Sequence, residues 1–149
     1  MEEMEPRWEK LLQIRTTGRD DTNADQYRYP YEPTPYCVLE RLAASGYISR
    51  KQVLVDYGCA EEFELPDNAD RFYFFNPFSI EILQKVMGKV RESYYRNPRE
   101  LVFFFYYPSS AYLAYLMTEN FLEFEDEIDC QDLFPGENSR ERIMIFKSQ

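Results

Sequence analysis

The run Val53-Leu54-Val55-Asp56-Tyr57-Gly58-Cys59, together with how soon another strand follows it, constrains the fold of this chain more than any other feature. An apolar strand that ends in an acid and a glycine is the start of a nucleotide-binding strand and loop in an α/β domain. Such a loop needs further glycines, so that a ligand can approach bare backbone and a helix N-terminus can point at it. Here Ala60, Glu61, Glu62 and Phe63 come instead. The aromatic run Arg71-Phe72-Tyr73-Phe74-Phe75 begins again after residues 60–70, barely the length of about a dozen residues that a parallel crossover needs. Little helix fits there, so the Val53 strand is expected at the edge of a sheet, with apolar side chains left wet where helices should lie.

Strand and helix alternate around this junction. Thr34 as N-cap and Pro35 in the first turn predict a helix to about Ser45, with Val38, Leu39 and Leu42 on its apolar face and Gly46 ending it. After the Phe75 strand, Asn76-Pro77-Phe78 breaks the run. Ser79 caps a helix in which Ile80, Ile82, Leu83, Val86, Met87 and Val90 recur at helical spacing. Leu101 to Tyr107 is a third strand, and Ser109 or Ser110 starts a helix bearing Tyr112, Leu113, Leu116 and Met117. Phe121 to Ile128 and Arg142 to Phe146 alternate apolar with charged residues around a turn at 135–138. They predict an antiparallel pair closing an otherwise parallel sheet.

The chain reads as one domain over 1–149, with an extended aromatic segment at 1–33 and an α/β core over 34–149. Within the first part, Glu5 to Ile14 could form a helix and Arg15 to Asn23 a polar loop. Tyr27 to Tyr36 alternates tyrosines with Pro30, Pro33 and Pro35, which excludes regular helix.

Composition removes several function classes. The net charge of −10, from 27 acids against 17 bases, opposes long-range attraction to nucleic acid or an anionic membrane. It suits solubility, or docking on a basic protein. With no histidine, the Ser/His and Cys/His couples of nucleophilic catalysis are missing. Cys37, Cys59 and Cys130 are too few and too scattered for a disulfide framework or a zinc site, so no metal is expected. The charged opening Met1 to Lys10 has no apolar signal core and no stretch approaches a membrane span, so the expectation is a cytoplasmic protein.

Taken together, these elements resemble the class I methyltransferases that use S-adenosylmethionine, closest to a group of small bacterial members. Val53 to Cys59 is similar to the family's first motif and Phe72 to Phe78 to its fourth, and the likeness runs from about Thr16 to Phe146. The resemblance implies a truncated Rossmann-like sheet of about five strands, ordered first-motif strand, Arg71 strand, Leu101 strand, then the closing pair with its last strand innermost. It implies Asp56 and Gly58 as cofactor-facing positions. Asn76, Pro77 and Phe78 stand where the family holds a target amino group with an amide oxygen, a backbone carbonyl and an aromatic ring. Between the motifs the family has two further strands, one carrying an acid for the cofactor ribose and one framing the adenine. Here they have no counterpart, as if an internal deletion joined the chain near Cys59 and Ala60.

Methyl transfer asks mainly for alignment of donor and acceptor, so absent histidine is no obstacle and an incomplete donor site is. The leading expectation is therefore a methyltransferase remnant without autonomous methyl transfer, acting as an acidic protein-binding module. It would self-associate through its first-motif edge strand, or bind another protein there. Two alternatives are a working methyltransferase, with a nitrogen acceptor suggested by the likeness at Asn76 and Pro77, whose donor site a second chain completes, and an acidic inhibitor that imitates nucleic acid.

Overall fold

The computed structural model describes residues 33–57 and 65–149. The calls for a helix at Glu5 to Ile14, for the polar loop and for the tyrosine and proline segment as far as Glu32 lie outside these residues. So do those at Gly58 and Cys59.

In chain order the elements are α1 (Tyr36–Ala44), β1 (Leu54–Tyr57), β2 (Arg71–Phe74), α2 (Ile80–Arg96), β3 (Val102–Tyr106), α3 (Ser110–Leu116), β4 (Leu122–Asp129) and β5 (Arg142–Ser148). A short 3-10 turn, Gln131–Leu133, lies between β4 and β5. The five strands form one sheet ordered β1-β2-β3-β5-β4. β1, β2 and β3 are parallel, and β5 runs antiparallel to both β3 and β4. This is the α/β architecture and strand order expected from the sequence, with β1 at one edge.

Side-chain alternation divides the sheet into two buried faces. Val55, Tyr57, Phe72, Phe74, Phe103 and Phe105 point to one face, where Ile82, Leu83, Val86, Met87 and Val90 of α2 cover them and Tyr112 and Leu116 of α3 complete the layer. Phe74 stacks between Tyr57 and Phe105, at centroid distances of 5.0 and 4.6 Å. Tyr73, Phe104, Tyr106, Ile143 and Ile145 point to the other face, against Val38 and Leu42 of α1. Both faces of β2 and β3 are thus dry, which is why these strands read as unbroken aromatic runs rather than as an alternation.

Two expectations need correction. On the α2 face the apolar side chains of β1 are not wet: Val55 is 6% and Tyr57 5% exposed, because the aromatic stack and α2 reach the edge. Thr34 is not the N-cap of α1, which begins after Pro35 without a side-chain cap. The Thr34 hydroxyl instead shares a 2.6 Å buried hydrogen bond with the Tyr73 hydroxyl, tying the entry of α1 to β2. The last helix stops at Leu116, with Met117 as its C-cap and 61% exposed. β4 pairs antiparallel with β5 as expected, with a β-bulge between Phe124 and Asp126 and most of the strand open to solvent.

Capping follows local chemistry. Ser109 accepts a hydrogen bond from the Tyr112 amide at 3.2 Å and so starts α3 as expected. Ser79 takes the N-cap position of α2 without bonding its first turn. Gly46 follows α1 at φ +85°, a left-handed turn that glycine adopts without Cβ strain. No helix among the described residues is long and apolar enough to cross a membrane.

Candidate functional site

The carboxyl ends of parallel strands are where α/β sheets carry ligands, and the chain places most of its chemistry-bearing residues there. Asp56 is opposite Tyr73 in the β1–β2 register, and Tyr57 opposite Phe74. Asp56 therefore shares the α1 face of the sheet with Leu54 and Tyr73. It is partly buried, makes no hydrogen bond or ion pair among the described residues, and burial pushes its carboxyl up to about 7. Desolvation disfavours the charged form.

Beyond β2, the chain turns sharply at Asn76, whose φ of 44° lies in the left-handed region. Asparagine tolerates this better than most residues. Its side-chain oxygen Oδ1 is buried without a hydrogen-bond partner. Pro77 and Phe78 follow, both buried. The Phe78 ring is fully enclosed, edge-on to Phe74 at 6.4 Å, so it packs in the core. Both backbone groups of Phe78 are engaged by one side chain: the Tyr112 hydroxyl donates to the Phe78 carbonyl and accepts from the Phe78 amide. The structure thus brings Asn76, Pro77 and Phe78 together as one fixed turn, held by α3. Asp56 belongs to the neighbouring strand, short of the level of Asn76, and Gly58 is outside the described residues.

A second turn of the same form stands at the end of β3, and sequence reading passed over it. Tyr107 has φ 53°, precedes Pro108, and leads to the N-cap Ser109, as Asn76 precedes Pro77 and leads to Ser79. A bulky residue at positive φ is a true outlier, and a following proline restricts it further. Several contacts impose the conformation. The Tyr107 amide donates to the Arg142 carbonyl at 3.0 Å, Asn138 Nδ2 donates to the Tyr107 hydroxyl at 2.8 Å, and the Arg140 guanidinium lies over the ring at 4.1 Å. Beside it, the Tyr106 hydroxyl donates to Glu141 at 2.6 Å, and burial with this carboxylate raises the tyrosine's pKa. The repeated strand, Pro and Ser pattern at 75–79 and 106–109 was the available signal.

β1 pairs with β2 alone, so among the described residues no strand lies beyond it to carry a ribose acid or frame an adenine. The one acid at the expected place, Asp56, is partly buried with its carboxyl displaced toward the neutral form. No family model matches the chain, and neither a curated protein nor a solved structure is significantly similar to it.

Proposed function

We propose that this chain is a methyltransferase-like remnant with a truncated Rossmann-like sheet, which does not transfer methyl groups by itself and works as an acidic protein-binding module. The observation that carries this reading is the edge position of β1. The strand that resembles a first cofactor motif has one neighbour among the described residues, where a complete donor site would need strands on both sides. Motif residues Asn76, Pro77 and Phe78 keep their place after β2, which supports descent from a substrate-binding turn. The tight packing of Phe78 supports a present role in stability.

Association at the β1 edge follows from backbone that no described residue pairs, with a second copy of the chain or another protein as partner. Calorimetric titration with S-adenosylmethionine and with its demethylated product tests the proposal. No heat from either is the expected result. A saturable isotherm that Asp56→Ala abolishes would overturn it and support an enzyme whose donor site is completed in an oligomer.

A further inference from the structure

We propose that the β1 edge accepts an extended segment of a basic partner protein, which adds as a sixth strand and places a lysine or arginine against Asp56. The inference rests on the protein-binding reading given above and names the partner's chemistry.

Backbone geometry comes first. In an extended strand the N–H and C=O of one residue point to the same side, and successive residues alternate. Val53 directs both groups toward β2: its carbonyl accepts from the Arg71 amide at 3.1 Å and its amide donates to Asp70 Oδ1 at 2.8 Å. Leu54 and Asp56 therefore turn their amides and carbonyls outward, to the side where β1 has no neighbour among the described residues. Two residues with both groups free, spaced for a ladder, are what an added strand pairs with.

Side-chain chemistry then selects the partner. On the α1 face, Asp56 is a partly buried carboxyl with no hydrogen-bond donor or cation paired to it among the described residues. An added strand would exclude the remaining water from it. An apolar or acidic residue placed opposite would leave that carboxyl desolvated and unpaired, so that it must take up a proton before the strand can add. A lysine or arginine opposite would pair it. On the other face, Val55 and Tyr57 end the apolar layer, so the partner residues flanking the cation would be apolar. An inward-pointing acid at an edge thus rejects most strands and admits one kind.

The same geometry argues against a second copy as occupant. In an antiparallel pair of two β1 strands with its twofold axis at Val55, each Asp56 faces Leu54 of the other copy. With the axis at Asp56, two carboxylates face each other, a destabilising pair. Residues 54–57 contain no cation in either arrangement. The net charge of −10 adds long-range attraction toward a basic segment.

The test uses the full chain and fluorescently labelled short peptides of alternating threonine and valine, with the central residue lysine, leucine or glutamate. A further lysine peptide is N-methylated on its ladder amides. Anisotropy titration should show the lysine peptide binding about tenfold or more tighter than the leucine and glutamate peptides. Asp56→Asn should erase the difference, and N-methylation should abolish binding. Because asparagine removes a desolvated charge without changing shape, the variant is expected to fold. If all three unmethylated peptides bind alike in both proteins, strand addition stands and the cation pairing is overturned. If none binds, or if sedimentation shows a dimer that must dissociate before the lysine peptide binds, the proposal is overturned. In the first of those two cases the open-edge reading falls with it.

Discussion

The two ends of the sheet solve the problem of an edge strand in opposite ways. β4 is eight residues long and carries Glu123, Glu125, Asp126, Glu127 and Asp129, with a bulge that breaks its regular pairing surface. Its charges are partly neutralised by β5, where Lys147 meets Glu123 at 3.3 Å and Glu125 at 3.0 Å, and Arg142 meets Glu127 at 3.2 Å. Length is tolerable there because charge and irregularity discourage pairing with another chain. β1 is four residues long, in unbroken register with β2, and its one charged residue points into the α1 face. One edge is closed by repulsion, and the other is kept short and guarded by a single, partly buried acid. Edges of one sheet can therefore differ in what they are able to recruit.

The sharpest way to break this comparison is to loosen the β1 end from the core. Phe74→Ala removes the ring stacked between Tyr57 and Phe105 and should cost about 3–5 kcal/mol in urea unfolding. Amides of β1 should then exchange far faster than those of β4 and β5. A loss spread evenly over all five strands would show that the β1 end has no separate stability.

Next in size is the effect of Asp56. Its carboxyl sits at about 7 in the folded chain against 3.8 as the ordinary value, so between those limits the folded state holds more protons than the unfolded one. The stability contribution is full below the lower limit and is lost as pH rises through about 7. At pH 8 the ionised group should cost roughly 2–4 kcal/mol, reduced from the full linkage value because Asp56 is only partly buried. Asp56→Asn should be the more stable protein at pH 8 and little different at pH 4. Parallel pH profiles of urea midpoint for the two proteins would show that water or a partner group already satisfies the carboxyl.

The smallest effect belongs to the other edge. Lys147→Met should shift the urea midpoint least of the three substitutions, since Glu123, Glu125 and Lys147 are all substantially exposed, and added salt should shrink the difference. A loss that is larger and indifferent to salt would place these charges in the core energetics of the sheet rather than at its rim.

Strand order was readable because each helix and strand announces itself by local spacing, and short connections leave few ways to join them. What escaped depends on distant residues. Nothing near Thr34 in sequence indicates Tyr73 as its hydroxyl's partner. The alternation of β4 suggests one buried face, yet an outermost strand with a bulge has little to cover it. At the candidate site, Asn76-Pro77 was legible as a strand-ending turn. The matching strain at Tyr107 was not, because it depends on Asn138, Arg140 and Arg142, which reach it from the other side of a loop. Asp56 could be read as a strand-end acid, but its tendency to stay protonated comes from burial that only tertiary packing creates.

The position of β5 has a consequence for how the protein is made. It follows the other four strands in sequence and yet lies between β3 and β4, joined to both. While a ribosome builds the chain at about 5–20 residues per second, β1, β2 and β3 can emerge with their helices before residue 142 exists. During that interval β3 offers the nascent chain's surroundings an open, wholly aromatic and aliphatic edge, which only the insertion of β5 conceals. The vulnerable moment in this protein's life is therefore its synthesis, and slow translation over residues 107–142 should raise the yield of aggregate without altering the finished fold.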